Sequence, residues 1–114
     1  MKITSWNVNS VNARIEHLIK LIKKDKSDIY LLQELKCTND KFPYDEIKSL
    51  GYHSNVNGQK AWNGVAIISK KPLIILQNKI PTFQDDINSR FIETEIMLPN
   101  IKKKIKLFNI YLPN

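Results

Sequence analysis

The chain has 114 residues, enough for one domain with a modest core. Hydrophobic residues make up 42% and charged residues 25%, which excludes a disordered composition. The formal net charge of +7 favours polyanions, nucleic acid before an anionic membrane, although richness in Ile, Lys and Asn also follows from biased base composition.

The first predicted element is a buried strand, Lys2 to Asn7. Ser10 is expected to cap a helix running to about Lys26, with Val11, Ile15, Leu18, Ile19 and Ile22 forming one apolar stripe. Lys20, Lys23, Lys24 and Lys26 lie off that stripe, and the Lys-rich last turn suits the negative end of the helix dipole. Ser27-Asp28 breaks the helix before a second strand, Ile29 to Glu34. Strand, helix and strand in that order imply a parallel pair with a right-handed crossover.

Lys36 to Asp45 reads as a loop, followed by a short helix from Tyr44 to Leu50 that ends at Gly51. Tyr52 to Val56 is a candidate strand, and Asn57-Gly58 a turn. Val65 to Ile68 and Leu73 to Leu76 are short apolar strands joined by Lys70-Lys71-Pro72, which predicts an antiparallel hairpin. Residues 77–88, with Pro81 and two acids, read as a surface loop. Phe91 to Ile96 alternates as a half-buried strand, Pro99-Asn100 is a turn, and Lys104 to Tyr111 alternates again. That last strand is apolar on both faces toward its end, so a central place in a sheet is expected. No apolar run reaches the ~20 residues that span a bilayer, and no signal-peptide apolar region opens the chain. The single Cys37 cannot form an internal disulfide. A cytoplasmic protein with no membrane partner is the expectation.

The two first strands carry the chemistry. Side by side, they place Asn7 and Glu34 at one rim of a sheet. An amide oxygen beside a carboxylate is hard oxygen ligation, suited to Mg2+ with positions left for water and a substrate phosphate. The plainer reading has Asn7 opening a turn and Glu34 in a surface salt bridge.

Five phrases then fall in order: W-N-V-N-S at 6–10, L-Q-E at 32–34, G-Q-K-A-W-N-G-V-A-I at 58–67, S-R-F-I-E-T-E-I at 89–96 and N-I-Y-L-P-N at 109–114. Together they resemble the exonuclease III and apurinic/apyrimidinic (AP) endonuclease family of the endonuclease/exonuclease/phosphatase superfamily. The resemblance covers residues 1–114 and corresponds to that family's N-terminal half. It implies an α+β (α/β) class, as half of a four-layer α/β sandwich. One mixed, mainly antiparallel sheet would carry helices on one face, its inner face left open.

By resemblance, Asn7 and Glu34 are metal ligands for Mg2+ (or Mn2+), and Tyr111 is the active-site tyrosine that touches the scissile phosphate. Lys60, Trp62, Asn63 and Gly64 fall in a DNA-backbone loop, and Arg90 falls near DNA. The family tends to have Tyr at the position of Trp62. The implied partners are double-stranded DNA and abasic-site DNA, and the implied activity is Mg2+-dependent exodeoxyribonuclease III and AP endonuclease action in base excision repair. Plainer alternatives stand beside these. Tyr111 could be a core aromatic, Trp62 a hydrophobic plug, and Arg90 a partner of Glu93 or Glu95. Lys102 to Lys104 reads as a solvated hairpin tip, His17 and His53 as structural, and Gln33 as a support of the strand end.

The family's Asp-Phe-Asn and Ser-Asp-His phrases do not occur. The expectation is therefore a single partial domain over 1–114 with weak or no activity by itself, complemented by a separately encoded C-terminal half. Three alternatives remain open: a non-catalytic basic nucleic-acid-binding remnant, a phosphodiesterase of the superfamily with another substrate, and a product that does not fold stably.

Overall fold

The computed structural model describes residues 1–78, 87–98, 100 and 102–113. Residues 79–86 of the expected loop, Pro99 of the expected turn, and Asn114 lie outside them. In chain order the elements are β1 (Ile3–Asn7), α1 (Ile15–Asp25), β2 (Ile29–Gln33), a 3-10 turn (Asn39–Lys41), α2 (Tyr44–Ser49), β3 (His53–Asn57), β4 (Val65–Ser69), β5 (Ile74–Gln77), β6 (Phe91–Leu98) and β7 (Lys103–Ile110).

The α/β class stands, but the described residues form two sheets where one was expected. The first has the order β1-β2-β4-β3 and the second β5-β6-β7. β1 and β2 are parallel, with Asn7 opposite Gln33, and α1 makes the crossover. β4 lies antiparallel to both β2 and β3. All five of its residues are buried, which explains why its sequence is a continuous apolar run.

Alternation then sorts the side chains of the first sheet. Tyr30, Leu32, Ala66 and Ile68 pack with Leu18 and Ile22 of α1 and Ile47 of α2. On the opposite face Ile29, Val65 and Ile67 pack with Ile92 and Ile96 of the second sheet, so that inner face is covered rather than open. Each fully buried Leu or Ile contributes about 1.5–3 kcal/mol, and this inter-sheet seam fixes how the sheets meet.

Three further expectations of the sequence are corrected. Helix α1 starts at Ile15, not at Ser10, because Asn9 (φ 45°) and Ser10 (φ 81°) are left-handed. Ser10 still caps a preceding turn: its hydroxyl oxygen accepts the Ala13 N–H at 3.4 Å, its carbonyl accepts the Arg14 N–H at 3.1 Å, and Val11 inside that turn is fully buried. The β4–β5 hairpin does not form. Both edges of β4 are already occupied by β2 and β3, so Lys70 to Pro72 carries the chain across to the second sheet. Finally, β7 lies at an edge of its sheet among the described residues, with Phe108 and Ile110 exposed.

Candidate active site

The rim of the first sheet is built by backbone pairing that continues past the strands. The Val8, Ser10 and Val11 N–H groups donate to the carbonyls of Gln33 (2.9 Å), Glu34 (2.9 Å) and Leu35 (3.1 Å). The two chain segments after β1 and β2 therefore travel together, which keeps Asn7 beside Glu34. Glu34 (φ 56°) and Lys36 (φ 53°) are left-handed, a conformation that costs an L-residue of the order of 1 kcal/mol. Between them Leu35 is fully buried and anchors the turn in the helix-side core.

The loop before β4 locks onto this turn. Leu35 N–H donates to the Gly64 carbonyl at 3.1 Å, and Lys36 N–H to the Asn63 carbonyl at 3.0 Å. Gly64 has φ +91°, and a Cβ there would lie 2.9 Å from the Leu35 Cβ, so both conformation and space demand glycine. The loop is tied to the second sheet as well. Gly64 N–H donates to the Ser89 carbonyl at 2.8 Å, and the Ser89 N–H and the Asn63 amide both reach Gln59 Oε1, at 2.8 and 3.1 Å.

Across from this rim, Tyr111 follows β7 and is held by its N–H to the Arg90 carbonyl at 2.8 Å. Its hydroxyl donates to Glu34 Oε1 at 2.5 Å. That bond, and burial beside the carboxylate, push the Tyr111 hydroxyl above its ordinary value, against an opposing effect of Arg90. Glu34 in turn is held below the ordinary carboxylate range by hydrogen bonds from Tyr111 and then Asn7, with Lys36 adding charge. Lys36 Nζ lies 3.8 Å from Glu34 Oε2 and donates to Asn9 Oδ1 at 2.6 Å. The Arg90 guanidinium donates to Asn63 Oδ1 at 3.2 Å. Glu93 and Glu95 pair instead with Lys106 and Lys104 across the β6–β7 ladder.

Glu34, Lys36, Gln59, Trp62, Arg90 and Tyr111 thus line one cleft of about 460 Å³. Asn63 lines it too, Gly64 shapes it from below, and Asn7 reaches it through Glu34. Lys60 does not line it. This residue faces a neighbouring basic recess with Lys36, Lys41 and Asn12. Trp62 is no plug, being 71% exposed at the cleft's rim. His17 and His53 are exposed and stand outside it.

Lys36, Gln59 and Asn109 belong to the site although no motif in the sequence singles them out. Gln59 lay inside the G-Q-K phrase, and Lys36 two residues after Glu34. Asn109 was a polar residue on the inward side of an alternating strand. It is 1% exposed and its amide donates to the carbonyls of Leu32 (2.9 Å) and Ala66 (2.8 Å). Gln33, expected to support the strand end, ties that end to the second sheet by donating to Asn109 Oδ1 at 2.8 Å.

As a cation site, the rim offers oxygens only. Glu34 is the one carboxylate lining the cleft, and no cluster of three His, Cys, Asp or Glu occurs among the described residues. Asn7 Oδ1 accepts the Asn9 N–H at 3.1 Å. One carboxylate plus one amide fits Mg2+, which keeps several waters and takes few protein ligands, and does not fit a zinc site.

A model of the endonuclease/exonuclease/phosphatase family matches residues 4–104. The chain is similar to exodeoxyribonuclease III of Haemophilus influenzae, with 35% identity over 96 residues, covering 84% of this chain and 36% of that enzyme. It is similar in structure to a Neisseria 3′ phosphatase bound to a product DNA hairpin (TM-score 0.88, 37% identity), covering 97% of this chain and 41% of that one. An AP endonuclease from Archaeoglobus fulgidus gives a TM-score of 0.86 at 32% identity, over 99% of this chain and 41% of that one. The chain therefore spans 36% to 41% of the length of these relatives.

Proposed function

The chain belongs to the endonuclease/exonuclease/phosphatase family, and we propose that its cleft forms part of a site that hydrolyses DNA phosphodiesters at abasic or 3′-terminal positions. The observation that carries this reading is the Tyr111–Glu34 hydrogen bond, which joins residues 77 apart in sequence beside Arg90. A hydroxyl, a carboxylate and a guanidinium facing one cleft can handle a phosphate and its counter-ion together.

Each group has a task in this reading. The depressed Glu34 carboxyl stays ionised, and with the Asn7 amide it would hold Mg2+ or Mn2+. A bound divalent cation would neutralise charge developing on the phosphate. Tyr111, raised above its ordinary value, stays protonated, and its single O–H, which donates to Glu34 in the free chain, would turn to a phosphate oxygen when one is bound. Arg90, oriented by Asn63, supplies fixed positive charge. Lys60 and Lys36 line the path of the DNA backbone, and Gly64 lets the loop approach it closely.

These residues bind and orient. The group that takes a proton from the attacking water is provided by a further polypeptide segment, of this or a separate chain, that supplies the rest of the family fold. By itself the chain is expected to bind abasic-site duplex with Mg2+ and to cut it weakly or not at all. Because Glu34 is the one carboxylate lining the cleft among the described residues, a binding role without cleavage is the second reading. Fluorescence anisotropy and a gel cleavage assay on an abasic-site duplex, with and without Mg2+, test both. Mg2+-dependent binding that weakens in Glu34→Gln supports the site. Binding indifferent to Mg2+ and to that substitution overturns it.

A further inference from the structure

The cleft carries one side chain that phosphate chemistry does not explain. Trp62 is 71% exposed, although it lies in a loop whose neighbours Asn63 and Gly64 are buried. The exposure is imposed by the backbone. Ala61 (φ 64°) and Asn63 (φ 55°) on either side are left-handed, a conformation unfavourable for residues with a Cβ. Trp62 N–H donates to the Lys60 carbonyl at 2.7 Å, closing a tight turn. Asn63 is clamped between Gln59 and Arg90, and Gly64 is bonded to Ser89. A loop tied at so many points does not let the indole fold back into a core. It holds a flat aromatic face out beside Lys36, Arg90 and Tyr111.

A held-out indole next to cations is the arrangement that binds a nucleobase by stacking while the backbone is held electrostatically. Phosphates read no base, and a base inside an intact duplex has both faces already covered. An indole gains a partner only where a base is unstacked. Resting on the reading of the cleft as a DNA site, we infer that Trp62 stacks on an unpaired base next to the phosphate held by Tyr111 and Arg90. The class of DNA it selects is duplex with a frayed or mismatched 3′ end, over fully paired duplex.

The test uses the full chain in Mg2+, with a gel confirming that the DNA stays intact, and three probes: a blunt duplex, the same duplex with mismatched 3′ ends, and its single strand. Tryptophan emission and anisotropy are read together. Trp62 supplies the exposed indole, whereas Trp6 packs against the helix-side core and gives a constant background. The expected result is quenching on the mismatched duplex and the single strand, with affinity about ten-fold above the blunt duplex. Trp62→Ala should lose that preference and the quenching while keeping its circular dichroism, and Trp62→Phe should recover part of the preference. Equal binding of all probes without quenching overturns the stacking role and leaves the DNA site standing. Binding of none of them overturns both.

Discussion

Asn109→Leu is the substitution that tests the architecture most directly. Asn109 reaches from β7 across the seam and donates to the carbonyls of Leu32 and Ala66, which lie opposite each other in the β2–β4 ladder. Its own oxygen accepts the Gln33 amide. Leucine is close in size, so little cavity forms, and the loss is three hydrogen bonds. At about 1 kcal/mol each this amounts to about 3 kcal/mol. No larger penalty is expected from Gln33, because its amide also reaches Ser5 Oγ and the Leu31 carbonyl, both at 3.1 Å. Urea unfolding followed by circular dichroism reads the change. With a slope of roughly 1–3 kcal/mol/M, the midpoint should fall by about 1–3 M. A fall under about 0.3 M at unchanged slope would refute the view that this side chain joins the sheets under the site.

Gly64→Ala places a methyl group 2.9 Å from Leu35 Cβ at φ +91°, and a urea melt should show a loss of about 2–4 kcal/mol; a loss below about 1 kcal/mol would contradict the close approach. Tyr111→Phe removes the main cause of the low Glu34 value, so carbon-13 titration should move the Glu34 carboxyl up toward 4.5, and an unmoved titration would deny the bond. Since the folded Glu34 carboxyl lies below its unfolded value, its stabilising contribution is present above pH 4.5 and is lost as pH falls through the folded value. The stability gap between wild type and Glu34→Gln should therefore close on acidification, and a gap that widened would reverse the sign. Asp25 is held down to about 2 by Lys2, Ser27 and Thr4, so its contribution should be full above pH 3.8 and be lost progressively as pH falls from there to about 2; an Asp25 carboxyl titrating at 3.8 in the folded chain would remove that support.

What was legible in the sequence is what periodicity and neighbours determine. The core contacts of Ile15, Leu18 and Ile22 in α1, the crossover, and the adjacency of residues 7 and 34 all followed from local pattern, and Asn7 does pair opposite Gln33. What was not legible depends on which strand edge is already occupied. Leu73 to Leu76 has the look of a hairpin partner for β4, yet both flanks of β4 are filled from distant parts of the chain. The start of α1 was misplaced for a related reason. Ser10 has the chemistry of a cap, but pairing of residues 8–11 with 33–35 holds that stretch outside the helix. The Glu34 partnership with Tyr111 required the second sheet to lie over the first, which no local pattern of β6 or β7 states.

The physics of the site follows from that division between sheets. The first sheet supplies Asn7 and Glu34, and Tyr111 and Arg90 come from the ends of strands in the second. Six non-glycine residues at this end, Asn9, Ser10, Glu34, Lys36, Ala61 and Asn63, are left-handed. Such conformations persist only where the surroundings over-determine them. Leu35 and Val11 beneath the rim are fully buried, and Val65 and Ile92 hold the seam between the sheets. The apolar burial therefore offsets the backbone strain at the mouth, and it does so on both sides of the cleft at once. A loss of packing between Val65 and Ile92 would separate Tyr111 from Glu34 before it disturbed either sheet. The geometry of Glu34, Arg90 and Tyr111 around the cleft is thus set by the inter-sheet core rather than by the loops that carry them.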